Sequence, residues 1–293
     1  VKETISDGSL PNSKKIKIEV EEMPTGEISA GAGIGTDGGS FAFNIQENNW
    51  LGKGVTVSAA AEVSADSIRG SLSLTDPDFN FTGSELSYFV KNIKNDKPNS
   101  GYENSIVSTG VNLTYEKFKD IYFSPGLSLT YDDLRTDSTA SDLLKKQSGS
   151  SSDLLFDYSL TTDKRDRRFM PTNGYLTSFY QELPAYSDQP HIKNSFATNH
   201  YKEFSEDMIG AVKFGVTAIN GLNDEDVRLS QRLNLNSNKL RGFEPGKIGP
   251  KDGDDFIGGN YAYSVNFSST IPQLFEESQN VDFLFFTDIA DIW

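Results

Sequence analysis

Apolar and polar positions alternate with a period of two along most of the chain, the spacing that sends successive side chains to opposite faces of a β-strand. The clearest runs are VTVSAAAEV at 55–63, IRGSLSLT at 68–75 and ENSIVSTGVNLTY at 103–115. Others lie at 27–36, 41–50, 84–92, 121–131, 154–162, 174–183, 194–202, 209–218, 227–235, 260–268 and 281–288, which makes fourteen predicted strands. Each is about 8–12 residues long, close to the length a tilted strand needs to cross a bilayer. Gly, Pro, Asn and Asp fill the connections, as turns require. No helical period competes, so the expected fold class is all-β.

The two faces differ in a way that separates kinds of β protein. In 55–63, Val55, Val57, Ala59, Ala61 and Val63 oppose Thr56, Ser58, Ala60 and Glu62. In 107–115, Val107, Val111, Leu113 and Tyr115 share a face interrupted by Thr109, opposite Ser108, Gly110, Asn112 and Thr114. Charges inside predicted strands (Asp157, Lys213, Arg228 and Arg232) fall mostly on the polar face. A greasy outside around a small, polar inside is the arrangement of a transmembrane antiparallel β-barrel. A soluble sandwich, which remains the alternative, would carry charge on the face turned from its core. An even strand count suits a single-chain bacterial barrel.

The beginning of the chain reads differently. In KKIKIEVEE at 14–22, Ile16, Ile18 and Val20 alternate with Lys17, Glu19 and Glu21, the pattern of a water-soluble sheet. Residues 1–23 are therefore expected to end a preceding soluble domain. Pro24-Thr25-Gly26 reads as a linker into a barrel domain over 24–293.

Composition narrows the functional classes. Hydrophobic residues are 36% of the chain, mean hydropathy is -0.47, and no run approaches the ~18 apolar residues of a spanning helix. Twenty Phe and twelve Tyr suit the aromatic girdles of a barrel. A net charge of -15 argues against a nucleic-acid partner, which needs clustered Lys and Arg. There is no Cys, so thiolate chemistry is absent. His191 and His200 are the two histidines, and neither a nucleophile elbow nor a phosphate loop accompanies them. No enzymatic activity, cofactor or metal is expected. Asp224-Glu225-Asp226 and Asp252-Gly253-Asp254-Asp255 lack the spacing of a calcium loop and read as solvated acidic loops.

Several short motifs occur in order along the chain. Asn48-Asn49-Trp50-Leu51-Gly52 follows the second predicted strand and Asp76-Pro77-Asp78-Phe79 the fourth. Asp163-Lys164-Arg165-Asp166 leads to Pro171-Thr172-Asn173-Gly174. Leu240-Arg241-Gly242-Phe243 is followed by Ile248-Gly249-Pro250, Gly258-Gly259-Asn260 and finally Phe286-Thr287-Asp288, with Trp293 five residues beyond. From about Met23 to Trp293, roughly nine-tenths of the chain, this series resembles the barrel domain of the BamA family of outer-membrane β-barrel assembly factors.

The resemblance implies a location in the bacterial outer membrane and a role in inserting unfolded β-barrel clients, among outer-membrane lipids and accessory assembly lipoproteins. It implies that residues 1–23 end a periplasmic POTRA domain. It also places Leu240, Arg241, Gly242 and Phe243 at the tip of a sixth loop folded into the barrel, with Arg241 clasped by Asp288. Gly242 would allow a close approach or a positive φ, and Phe243 would anchor the tip. A second acid is usual in the family on the strand after the loop, and the aligned position here is Ser268. The family's lateral gate maps to the first strand, with Ile28, Ala30, Gly31, Gly33 and Gly35, whose small side chains weaken pairing. Asp163, Arg165, Pro171 and Gly174 would shape a strand boundary. Family barrels have about sixteen strands, an even number, so the last two are expected beyond this sequence. A TamA-type or two-partner secretion transporter and a passive outer-membrane channel remain alternatives.

Overall fold

The computed structural model describes residues 2–10, 13–21, 23–35, 38–205, 208–271 and 283–293. A hairpin of β1 (Lys2–Asp7) and β2 (Lys14–Glu19) forms its own two-stranded sheet. Ile16 and Ile18, expected to pack on one face of that hairpin, are exposed. Next come β3 (Gly26–Gly35), β4 (Gly38–Trp50), β5 (Val55–Ser64), β6 (Ser67–Phe79), β7 (Ser84–Lys97), β8 (Tyr102–Phe118) and β9 (Ile121–Thr136). A short helix α1 (Asp142–Lys146) precedes β10 (Gly149–Asp163), β11 (Gly174–Ser187), β12 (His191–Ser205) and β13 (Met208–Gly221). A small hairpin of β14 (Lys251–Asp252) and β15 (Asp255–Phe256) leads to β16 (Tyr261–Ile271) and β17 (Phe283–Ile292).

Thirteen of these strands form one antiparallel sheet, in the order β17-β16-β13-β12-β11-β10-β9-β8-β7-β6-β5-β4-β3. The register explains why it behaves as a barrel wall. Ile45, Ala59, Leu72, Val90, Thr109, Leu129 and Leu154 are successive cross-strand neighbours on one face. Ile45, Leu72, Val90 and Leu129 are exposed and Leu154 is half-buried, an arrangement suited to lipid. Thr109 interrupts this belt harmlessly, because its hydroxyl donates to the Phe89 carbonyl at 3.0 Å and leaves no polar group unsatisfied. The opposite face carries hydroxyl ladders: Ser58 with Ser73 at 2.7 Å, Ser108 with Thr130 at 3.0 Å and Ser195 with Thr217 at 3.0 Å.

Thirteen of the fourteen expected runs lie on strands of this sheet; the run at 227–235 does not. It contains a 3-10 turn at Leu229–Gln231 and a single bridge from Leu233 to Gly259. β13 pairs directly with β16, so the ladder has no place for another strand there. The alternation of VRLSQRLNL arises instead from a loop held inside the barrel. Leu229 is buried among Tyr102, Leu134, Ala140 and Leu144, while Arg228 finds a buried acid. Arg228 and Arg232 are thus loop residues, and the argument from an even count falls with the fourteenth strand. Thr36 of the expected run at 27–36, and Val281 and Asp282 of that at 281–288, lie outside the described residues.

Candidate functional site

The segment 222–260 between β13 and β16 runs back inside the curled sheet. Its two limbs are tied together where Leu233 N donates to Gly259 O at 2.8 Å and Gly259 N returns a bond to Leu233 O at 3.1 Å. Gly259 has to be glycine, since a Cβ there would lie 2.6 Å from the Trp293 carbonyl oxygen. The same loop touches β9 through Arg228 and β17 through Arg241, strands six places apart in the sheet order.

The tip is built on Asp288, whose side chain is 3% exposed. Arg241 Nε donates to Oδ2 at 2.7 Å and Nη2 to Oδ1 at 2.6 Å, a bidentate fork, while the Arg241 backbone N–H donates to Oδ2 at 3.0 Å. Asn266 Nδ2 adds a bond to Oδ1 at 2.8 Å and another to the Lys239 carbonyl at 2.8 Å, which fixes the chain just before the tip. The guanidinium carbon stands 3.8 Å from the centre of the Phe286 ring, a cation–π contact. Bonding to Asp288 pushes the Arg241 guanidinium pKa still higher than usual. This carboxylate therefore has four donors and a buried setting, which answers the desolvation cost of a confined charge.

Two expectations about the tip change, and the one for Gly242 is met by its backbone angle. The neighbour on the strand after the loop is Asn266, which faces Asp288 in register; Ser268 pairs with Phe286, two residues along. Phe243 is 59% exposed and anchors nothing, and the apolar support under the arginine comes from Phe286 on β17. Gly242 has φ 86 and open space where a Cβ would stand, so the residue answers a backbone angle and not a close approach. Leu240 is half-buried, with its N–H on the Asn236 carbonyl at 3.2 Å.

Sequence reasoning missed a second cluster at the other end of the loop. Asp132 on β9 is wholly buried and accepts from Arg228 Nε at 3.0 Å and Asn104 Nδ2 at 3.1 Å. Ser230 also donates its hydroxyl to Asp132. Leu229 N–H is satisfied by Gln147 Oε1 at 2.8 Å. The acidic runs lie largely at the surface, with Asp224, Glu225, Asp226 and Asp254 exposed; Asp226 pairs with Arg232, and Asp255 accepts the Ser141 N–H at 2.9 Å. His191 is buried 3.2 Å from Glu182, and His200 stacks on Tyr175.

The β10–β11 turn brings together the residues expected there. Arg165 forms a fork with Asp163, both contacts 2.8 Å. Asp166 accepts from Thr172 Oγ1 at 2.8 Å, Thr172 N at 3.0 Å and Asn173 N at 3.1 Å. Pro171 lies half-buried within this turn, and Gly174, at φ 96, closes it. The Thr172 hydroxyl and the Asn173 and Thr172 amides hold the Asp166 carboxyl down to about 2. A carboxylate depressed in the fold lends stability above its unfolded pKa, near 4, and loses it as pH falls toward the folded value. Asp166 should accordingly titrate with a midpoint near 2 by NMR, and the turn should loosen only below pH 4. A midpoint near 4 would mean that these bonds do not hold the turn.

On β3 the expected gate residues occupy one edge of the sheet. Ile28 is exposed, Ala30 faces Phe43, Gly31 faces Ala42, Gly33 faces Ser40 and Gly35 faces Gly38. A Cβ on Gly31 would meet nothing within 4 Å, and one on Gly33 only the Ser40 hydroxyl at 3.6 Å.

A family profile for the Omp85 superfamily domain matches residues 49–293. Over 290 residues the chain is 25% identical to outer membrane protein assembly factor BamA of Neorickettsia risticii, covering 94% of this chain and 38% of that protein. Over 276 residues it is 22% identical to the Homo sapiens sorting and assembly machinery component 50 homolog, covering 93% of this chain and 59% of that protein. The crystal structure of BamA from Haemophilus ducreyi lacking POTRA domains 1–3 matches with a TM-score of 0.85 at 24% identity, over 100% of this chain and 63% of that one. That likeness establishes the fold as a barrel wall of the same design. The chain spans well under two thirds of the length of the relatives it matches in sequence.

Proposed function

The chain belongs to the Omp85 superfamily as an outer-membrane β-barrel of the BamA type, and from that premise we propose that it assembles and inserts β-barrel proteins in the bacterial outer membrane. The observation that carries the proposal is Arg241 seated on Asp288, which Asn266 also bonds, inside the barrel. A passive channel needs no bidentate lock in its loop, whereas an assembly factor uses a fixed internal support beside a wall that yields. Both sequence relatives carry assembly in their names.

The yielding wall is β3. One side of it pairs with β4 from Gly26 to Gly35, and the other side meets no strand among the described residues. Its small residues provide little cross-strand packing, the term that normally strengthens a ladder. An incoming client strand adds to such an edge by β-augmentation, with main-chain hydrogen bonds supplying affinity whatever the client's side chains. Clients, surrounding lipid and accessory lipoproteins are the partners this reading implies, with residues 1–23 as the end of a POTRA domain.

The test uses the full-length protein in liposomes, with urea-unfolded outer-membrane barrel proteins as clients. Faster insertion than into empty liposomes is the expected result. Ion conductance without any acceleration would replace the assembly reading with a channel.

A further inference from the structure

We propose that Asp132 and Arg228 are positioning residues that seat the root of the 222–260 loop so that its tip can reach Asp288. The proposal deepens the reading of the loop as an internal lock, and rests on it. Nothing in the tip motif points to this pair: Asp132 sits on β9 and Arg228 lies 13 residues before Arg241.

Three features of the root support the assignment. Asp132 is 0% and Arg228 5% exposed, whereas the Arg241 side chain at the tip is 29% exposed. The Asp132 carboxylate is fully used, with Arg228 and Ser230 on Oδ2 and Asn104 on Oδ1. The remaining guanidinium edge is also satisfied, since Arg228 Nη2 donates to the Gly149 carbonyl. Around this polar centre, Leu229 fills the apolar cluster of Tyr102, Leu134, Ala140 and Leu144, and its carbonyl accepts from the Tyr102 hydroxyl at 3.5 Å.

The two ends of the loop therefore differ in kind. Water can compete for the partly exposed tip arginine, but it has no access to the root pair. Breaking the root leaves a buried charge without its partner, a far larger penalty than losing an exposed pair. A bidentate fork also tolerates little displacement, so a root that shifts carries Arg241 away from Asp288. The tip is the part that can exchange, and the root is the fixed end about which it does so.

The experiment needs no client, so its outcome does not depend on whether the protein assembles barrels. The full-length protein in liposomes is treated with trypsin, and cleavage after Lys239 and Arg241 is timed. Heat-modifiable gel mobility reports whether the barrel itself stays folded. Asp132→Asn is expected to speed tip cleavage about tenfold with the barrel mobility kept. Combined with Asp288→Asn, which frees the tip directly, it should add little, because the root acts on tip cleavage only through the Arg241–Asp288 contact that Asp288→Asn has already removed. Arg228→Lys keeps the charge but cannot bond both Asp132 and the Gly149 carbonyl as the guanidinium does, and should give an intermediate rise of about threefold. It serves as the test if Asp132→Asn does not fold. Wild-type cleavage rates in the single variants, or effects of Asp132→Asn and Asp288→Asn that multiply, would overturn the proposal.

Discussion

Asp288→Ala in the full-length protein is expected to undock the loop tip and slow client insertion. The substitution removes the acceptor of four hydrogen bonds and leaves the Arg241 guanidinium over Phe286 without a counter-charge. Because the Arg241 side chain is partly exposed, losing its partner costs about 1–2 kcal/mol, between the values for exposed and buried pairs. At about 1.4 kcal/mol per tenfold, the docked-to-free ratio of the loop falls roughly tenfold. Arg241→Ala should act in the same direction, because Asp288 would keep only Asn266 and the backbone N–H of residue 241. Arg241→Lys should not rescue it, since an ammonium cannot make both contacts of the fork. The double variant Arg241→Ala with Asp288→Ala should lose less than the sum of the two, as no unpaired charge remains. Unchanged insertion together with unchanged protease sensitivity of residues 239–247 in Arg241→Ala would remove the lock from the mechanism.

Gly174→Ala should be the most damaging small change outside the loop. Gly174 has φ 96, and a Cβ there would stand 2.0 Å from the Lys164 carbonyl oxygen and 2.9 Å from the Arg165 Cα. Both atoms belong to backbone, and that backbone is held by Lys164 N–H on Tyr175 O at 2.8 Å and Asp166 N–H on Asn173 O at 3.0 Å. Relief therefore requires opening the β10–β11 turn, at a cost of roughly 3 kcal/mol. Gly242→Ala is the natural comparison. Its φ is also positive at 86, but nothing lies within 4 Å of the added carbon, so only the backbone penalty of about 1 kcal/mol applies. The temperature at which the folded gel band disappears should drop clearly for Gly174→Ala and little for Gly242→Ala. Equal drops would refute the collision argument.

The strand pattern was readable because lipid outside and polar groups inside impose opposite chemistry on alternate residues. Ile45, Leu72 and Leu129 lie on one face of the sheet, Ser58 and Ser73 on the other. The same signal misled at 227–235. There, alternation came from Leu229 entering an apolar cluster while Arg228 turned to Asp132, with no ladder at all. Period two records two environments, and a sheet is only the commonest way to supply them.

The candidate site divides along the same line. The Arg-Gly-aromatic tip and Asp288 were legible only through the ordered motifs that resemble the family, since a lone Arg in a polar loop and a distant Asp carry no pairing signal of their own. Asn266 was not: Ser264, Asn266 and Ser268 all point inward, and only the β16–β17 register selects the one opposite Asp288. Phe243 had the right character for an anchor, but the bend at Gly242 leaves it exposed and places Phe286 beneath the guanidinium. Asp132 stands 96 residues from Arg228, in a stretch of β9 that reads as an ordinary polar strand end.

By itself, the sequence determined the all-β class and the two chemically distinct faces of the wall, and its resemblance to a known family suggested the pairing of Arg241 with Asp288. The first two follow from local alternation of side-chain character. The thirteen-strand order, the inward path of the 222–260 loop and the buried root at Asp132 were decided only in three dimensions. Register and curvature bring distant polar groups to a common place, and burial then makes each of them depend on the others.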